Sequence, residues 1–386
     1  MENKKSTQIY VVVHSYYTED TRVRKQCEFL ASEGYDVNVI CLNRGRESEF
    51  EIFNLVKINR KDVSRTPGKL RTTLSYIIEY VRFFFFSLIH LYRVKPDLVI
   101  AHNMPNFLVF SALFPKLRGV PVLLDVHDLM PEIWSMMSQS RLIKALLLFE
   151  ERISHAFATQ LITVNHEVAT YLSRRNKKKY FVTHNGPLTS KAVRSRSYEN
   201  YCASRFNLVF HGNIHERYGL QRLVSILPTL KERYQKINLS IYGYGPYLES
   251  IEKLIDELNI ADYCKVYGRF EPDDVEVILA NKGLGFVVAD KSAQHDLAIP
   301  VKLTEYISHS VPAICTDLTT TKLYFEGCVN FFDVTEKNRL FDTVCNALDH
   351  PKDTFSLVSK AKEKLSEISW DNEKSHYKAF LQQVIK

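Results

Sequence analysis

None of the seven cysteines stands in a C-x-x-C pair. Neither a zinc cage nor a disulfide framework is therefore indicated, and free thiols in a reducing cytosol are expected. No G-x-G-x-x-G follows the first predicted strand, which excludes a dinucleotide-binding dehydrogenase. No D-x-D stands at a strand end; Asp125-Val126-His127-Asp128 does not fit that metal-binding pattern. The start, Glu2 to Gln8, is polar and carries no secretory apolar core. No span of about twenty apolar residues is free of charge. The most apolar stretch, Leu70 to Tyr92 with Phe83 to Phe86 at its centre, is broken by Glu79, Arg82 and His90. Two readings of it stand: a helix buried in a large domain, or an interfacial helix lying on a bilayer, flanked by Lys69, Arg71 and Arg93. The formal charge of +7 over 386 residues does not single out nucleic acid.

What is present is an ordinary soluble composition, 45% hydrophobic and 25% charged. The length exceeds what one core serves, so two domains are expected. In the first half, strands read at Ile9–Val13, Val37–Leu42, Asp97–Ala101, Val122–Val126, Leu161–Val164 and Tyr180–Thr183. Helical patterns lie between them, at Thr21–Ser32, Leu70–Tyr92, Leu142–Phe157 and Glu167–Arg174. Continuous Val/Ile/Leu strands separated by helices specify a parallel sheet covered on both faces. Gly186 to Ser190 and the polar Lys191–Asn200 read as a linker. The pattern then restarts with strands Leu208–His211, Asn238–Tyr242, Cys264–Tyr267, Gly285–Val288 and Pro312–Cys315, and Trp370–Lys386 reads as a closing helix. The expected division is 1–186, a linker at 187–204, a second domain at 205–368 and a terminal helix at 369–386.

Ligands of such sheets bind at the carboxyl ends of the strands. His102-Asn103, His127-Asp128, Asn165-His166, His184-Asn185 and Gly212-Asn213 all fall there. Further on, Pro300 to Tyr306 opens a helix with Lys302 and Glu305 three apart, and a buried strand follows at Pro312 to Cys315. A cation and helix N-terminal donors suit a diphosphate, and a carboxylate suits sugar hydroxyls. A capped helix with an exposed ion pair is the alternative. The basic run Arg174 to Lys179 reads as a solvated helix end, or as a contact for anionic lipid.

Taken in order, six features resemble the GT-B retaining glycosyltransferases of family 4, the enzymes of capsule, exopolysaccharide and lipopolysaccharide assembly. They are Asp20-Thr21-Arg22-Val23, Asp125 to Asp128 with Pro131-Glu132, Asn185-Gly186, Gly212 to Gly219, Gly243-Tyr244-Gly245-Pro246, and Pro300 to Tyr306 with Val311-Pro312. The resemblance implies two Rossmann-like α/β domains facing a cleft, the first for the acceptor and the second for a nucleotide sugar. It implies that Glu305 holds ribose hydroxyls, that Lys302 lies near the diphosphate and that His127 touches the transferred sugar. Gly268 and Arg269 would meet the base, and Gly212, Asn213 and Gly245 would line the donor loop. On the acceptor side stand Tyr16, Tyr17, His102 and Asn185.

Three departures are visible. Leu297 stands where the first of two glutamates belongs, so that acid's contact is either absent or supplied by His295, Asp296 or backbone. Asn213 and Tyr218 replace an arginine and a lysine of the donor loop, leaving Arg217 to supply the diphosphate cation. His14 to Thr18 replaces a glycine-rich loop, and its tyrosines read equally as rings for a sugar face or as a packed loop. The implied reaction is sugar transfer with retention, from a nucleoside diphosphate sugar to a glycan or polyprenyl-diphosphate-linked acceptor. Neither metal nor cofactor is expected, and the location is cytoplasmic or peripheral on the inner membrane face. Two alternatives stand beside it: a nucleotide-sugar 2-epimerase of the same fold, and a catalytically inactive paralogue serving as scaffold or partner subunit, motivated by Leu297.

Overall fold

The computed structural model describes residues 6–45, 47–62, 73–137, 140–187 and 196–385. Lys69, Arg71 and most of the expected linker lie outside them. The chain divides into two compact units, residues 1–184 with 373–386, and residues 185–372.

The first unit carries an eight-stranded sheet of β1 (Gln8–Val12), β2 (Asp36–Leu42), β3 (Phe50–Phe53), β4 (Val56–Lys61), β5 (Leu98–His102), β6 (Val122–Val126), β7 (Gln160–Thr163) and β8 (Phe181–Val182). Their order is β3-β4-β2-β1-β5-β6-β7-β8. All neighbours are parallel except the β3–β4 hairpin. That hairpin was not expected: β4 alternates buried and half-buried residues along Val-Lys-Ile-Asn-Arg-Lys, so its apolar signal is thin.

Its helices are α1 (Thr21–Ser32), α2 (Thr73–Arg93), α3 (Leu113–Leu117), α4 (Met130–Met137), α5 (Arg141–Phe157) and α6 (His166–Asn176), with a 3-10 segment at Asn106–Ala112. Asp20 caps α1 by accepting from the Val23 N–H at 3.1 Å. Asn165 caps α6 in the same way at 2.7 Å from Val168. The step from β1 through α1 to β2 runs one way along the sheet, and the steps through α2, α3, α5 and α6 run the other way. Right-handed crossovers therefore place α1 on one face and the other four on the opposite face. Helix α2 is buried along one side and exposed along the other. Phe83, Ser87 and Leu91 are fully buried at four-residue spacing, whereas Ile77, Val81, Phe85 and Ile89 are exposed.

The second unit carries an all-parallel sheet of β9 (Asn207–His211), β10 (Asn238–Tyr242), β11 (Cys264–Gly268), β12 (Leu284–Val287), β13 (Ala313–Thr316) and β14 (Asn330–Phe332). The order β11-β10-β9-β12-β13-β14 puts the topological switch between β9 and β12. The strand β14 was not expected, being three residues long. Around the sheet run α7 (Tyr198–Ser204), α8 (Leu220–Arg233), α9 (Leu248–Glu257), α10 (Val275–Leu279), α11 (Ala293–Leu297), α12 (Val301–Ser308), α13 (Thr319–Phe325), α14 (Arg339–Asp349) and α15 (Pro351–Glu367). Helix α7 occupies part of the stretch read as linker. The last helix, α16 (Trp370–Val384), buries Tyr377 and stacks Phe380 on Phe181 at 4.0 Å in the first unit.

Helix α12 is seated through Leu303, Tyr306 and Ile307, and its tightest contact is made by Tyr306. The buried Tyr306 ring covers Gly285 of β12 so closely that a Cβ there would lie 2.4 Å from the ring. The Tyr306 hydroxyl donates to the Val209 carbonyl at 3.3 Å. Gly285→Ala is expected to destabilise the protein by about 1–3 kcal/mol through overpacking, read as a lower urea midpoint at unchanged slope. An unchanged midpoint would show that α12 is not held this way.

Candidate functional site

Two groups of polar residues gather at strand ends, one in each unit. In the second unit, the chain leaves β9, β10 and β11 through Gly212, Gly243 and Gly268. The Gly212 N–H donates to the Tyr242 carbonyl at 2.9 Å, Ile214 to Tyr244 at 3.1 Å, and Gly243 to Gly268 at 2.7 Å. A Cβ on Gly243 would lie 1.9 Å from the Gly212 oxygen, so only glycine lets these backbones pass.

Against this floor lies Lys302, in the first turn of α12. Its ammonium sits 3.9 Å from the centre of the Phe210 ring and 5.1 Å from that of Tyr218. Among the described residues it makes no ion pair. Burial pulls its pKa down to about 7, against the opposing pull of Glu305. Arg217 lies over the same Tyr218 ring, 5.3 Å from its centre, and also has no carboxylate partner among the described residues. Its carbonyl accepts from the Asp290 N–H at 2.9 Å, which pins the 212–219 loop to the segment after β12. His295 stacks on Tyr218 with ring centres 5.5 Å apart and bonds the Asp290 carbonyl through Nδ1 at 2.7 Å. Burial holds His295 below the usual histidine range, and the charges of Arg217 and Lys302 both push the same way. The two cations thus act on one point.

Glu305, one turn further along α12, does not pair with Lys302. Its carboxylate meets His211 Nε2 at 2.7 Å, and the Nδ1 of that buried histidine has no partner. His211 was missed in the sequence, where the only signal is a histidine closing a strand before a glycine. Of the expected replacements for the acid at Leu297, Asp296 is committed elsewhere: it accepts from the Thr319 N–H at 3.1 Å and hydroxyl at 3.2 Å, at the start of α13. His295 is the one that faces the cations. Asn213 lies beside Gly245, Gly268 has open space at its α-carbon, and the Arg269 guanidinium lies 5.1 Å from the exposed Tyr244 ring.

In the first unit, Arg22 of α1 grips the fully buried Asp125 through two bonds, Nε at 3.0 Å and Nη2 at 2.9 Å. Burial alone would raise the Asp125 carboxyl, but Arg22, His102 and His127 together hold it well below the usual carboxylate range. His102 Nδ1 lies 3.4 Å from the same carboxylate, and burial pulls its pKa to about 4, so it is neutral at pH 7. Asn103 accepts from the His127 and Asp128 N–H groups at 3.0 and 3.3 Å, fixing the loop that carries the half-buried His127. His102, Asp125 and His127 form the one cluster of metal-ligand composition among the described residues. Both Asp125 oxygens are already taken by a guanidinium, whose charge opposes a bound cation.

Residues 20–188 match the family described as Glycosyltransferase Family 4, and residues 203–363 match Glycosyl transferases group 1. The chain belongs to the family 4, group 1 glycosyltransferases. A segment of 173 residues is 27% identical to sulfoquinovosyl transferase SQD2 of Arabidopsis thaliana, covering 42% of this chain and a third (33%) of that protein's length. Sucrose-phosphate synthase of Thermosynechococcus elongatus superposes with a TM-score of 0.78 at 14% identity, over 98% of this chain and 99% of that one. Anabaena HepE in complex with UDP gives 0.69 at 12% identity, over 98% and 100%. The fold is GT-B.

Within this family member, two acceptor-side expectations are corrected. Tyr17 is 1% exposed and packed in the core, and His102 is 1% exposed beneath His127, so neither meets solvent. Asn185 begins the second unit. Tyr16 stays half-exposed under Arg44, whose guanidinium lies 5.2 Å from its ring.

Arg22→Ala strands a buried carboxylate and is expected to cost about 3–5 kcal/mol in urea unfolding. The folded Asp125 pKa lies below its unfolded value of about 3.9, so the stability it contributes is present above that pH and lost as pH falls through and below it. The wild type should therefore lose stability more steeply than the variant below pH ~4. Parallel curves would remove Asp125 from the account.

Proposed function

We propose that this protein is a retaining glycosyltransferase moving a sugar from a nucleoside diphosphate sugar to a lipid-linked glycan acceptor in surface-polysaccharide assembly. The observation that carries the donor side is the pair of carboxylate-free cations, Lys302 and Arg217, against one tyrosine ring. Beside them stands a carboxylate held by His211 rather than by the cations. Positive charge without a counter-ion answers a departing diphosphate, and the oriented carboxylate answers ribose hydroxyls. The UDP complex of HepE, which shares the fold, supports a nucleoside diphosphate as the ligand.

In this reading the bond from the anomeric carbon to the diphosphate oxygen breaks, and the acceptor oxygen bonds to that carbon on the same face. The acceptor proton passes to the leaving phosphate. Lys302 and Arg217 stabilise the charge that develops on the diphosphate, with no protein nucleophile and no metal assigned. His127 is the residue assigned to the transferred sugar, and Tyr16 stays an acceptor-side candidate. The lipid-linked acceptor rests on the family resemblance; the names of the relatives, a sulfoquinovosyl transferase and a sucrose-phosphate synthase, point to varied acceptors within one scaffold. The inactive-paralogue reading keeps one observation in its favour: Leu297 supplies no acid, and Asp296 is bound to Thr319.

Lys302→Ala is expected to lower turnover about 100- to 1,000-fold with the melting curve intact, measured as nucleoside diphosphate release with acceptor present. Wild-type turnover in that variant would sink the assignment. Binding of UDP-sugar without release by the wild type would favour the inactive paralogue.

The ammonium pKa of about 7 gives a second check. Lys302 is charged below that pH and loses its proton above it, so UDP affinity should fall as pH rises from 7, by up to about tenfold per unit. Calorimetric titration between pH 6 and 9 reads this. Lys302→Arg, which stays charged, should flatten the curve, and an equally steep fall in that variant would assign the titration to another group.

A further inference from the structure

The outer surface of the first unit is unevenly apolar. On α2, Ile77, Val81, Phe85 and Ile89 form a stripe, each between 43% and 53% exposed. On α5, Leu142, Leu146, Phe149 and Ile153 form a second stripe, between 40% and 71% exposed, and Leu117 at the end of α3 is 74% exposed. The three helices lie on one face of the sheet and are joined by rings. Phe84 of α2 meets Phe107 at 5.9 Å, and Phe110 meets Phe157 of α5 at 4.9 Å, both across the 3-10 segment. Arg118, just past α3, donates to the Tyr92 and Val94 carbonyls at the end of α2.

Charge on this face has a single sign. The acids of α2, α5 and α6 are turned inward and are buried or half-buried: Glu79, Glu150, Glu151 and Glu167. Glu150 accepts from Asn106 and Ser154, and Glu151 pairs with Arg175. The exposed charges of the same helices are Arg82, Arg93, Arg141, Lys144, Arg152 and Arg174. At the far edge Lys116 of α3 feels the charge of Lys178, so the basic run after α6 continues the same surface.

We propose that the face made by α2, α3 and α5 docks on an anionic lipid bilayer, its two apolar stripes entering the acyl boundary and its arginines and lysines meeting headgroup phosphates. Among the described residues no helix is long and apolar enough to cross a membrane, so the helices lie in the interface plane. A second copy of the chain is the rival occupant. A two-fold contact would set the same unanswered basic side chains against one another, with no exposed acid on these helices to receive them. The proposal is independent of the donor chemistry, because docking needs no turnover.

The test is flotation of the full chain with vesicles of equal parts phosphatidylglycerol and phosphatidylethanolamine, against phosphatidylcholine vesicles. Wild type should float with the anionic vesicles and far less with the neutral ones. Leu146→Ser with Phe149→Ser, and separately Arg141→Glu with Lys144→Glu, should each cut the bound fraction about tenfold. All four side chains are exposed, so the melting temperature should hold. No flotation of the wild type, or equal flotation of both variants, overturns the proposal. So does a wild-type dimer in light scattering that the serine variant splits while flotation is unchanged.

Discussion

The Lys302 ammonium rests on the Phe210 ring, and the carboxylate one turn along its own helix is engaged by His211. A cation over an aromatic face gains about 2 kcal/mol when desolvated, less than the several kcal/mol that an unpaired buried ammonium costs. The balance appears as a depressed pKa. Much of the second unit maintains this imbalance. Tyr306 packs α12 onto Gly285, Gly212 leaves room beside the ammonium, and Tyr218, the ring Lys302 faces, stacks on His295. An arriving anion relieves the cost, and that relief is the physical content of a binding site. Had Glu305 paired with Lys302, the charge would be quenched within the helix, and a diphosphate would have to break an ion pair to bind. His211 prevents that quenching by holding the acid on its other side.

The sequence revealed this arrangement unevenly. The strands Val122–Val126 and Asn238–Tyr242 were legible to the residue, the first as a mostly apolar run ending at His127-Asp128 and the second as Leu239 and Ile241 alternating with polar residues before a glycine. The β3–β4 hairpin was not, because β4 buries only alternate residues, and Val56 and Ile58 are too few apolar residues to announce a strand. The pair Lys302 and Glu305 was visible from its three-residue spacing, and their separate engagement was not: His211 lies 94 positions before Glu305, and only the sheet brings them together. Tyr17 was open to two readings. A tyrosine in a polar loop can face a sugar or pack inward, and this one is core, set edge-on to Phe53 at 6.4 Å.

The first unit handles charge by the reverse rule. Arg22 and Asp125 are both buried and fully paired, and Arg175 divides its guanidinium between Glu132 and Glu151 at 2.6 and 2.5 Å. Such pairs contribute little net stability compared with apolar packing of the same volume, but breaking one is costly. They hold geometry. Arg22 also donates to the Thr183 carbonyl at 3.1 Å, so one guanidinium joins α1, the end of β6 and the chain leaving β8 beneath His127. His102, neutral and sealed under that loop, belongs to the same support.

These contrasts separate the uses of positive charge more sharply than a net value of +7. A buried cation with its carboxylate, as at Arg22, is architecture. One resting on a ring with no carboxylate, as at Lys302 or Arg217, is held ready for an anion that comes and goes. Exposed cations among exposed apolar residues, with the neighbouring acids turned inward, as on α5, are a surface with no internal answer. Composition cannot tell these apart, because the same lysine and arginine serve all of them. What distinguishes them is where the nearest carboxylates point, and that is settled by the packing of the helices that carry them.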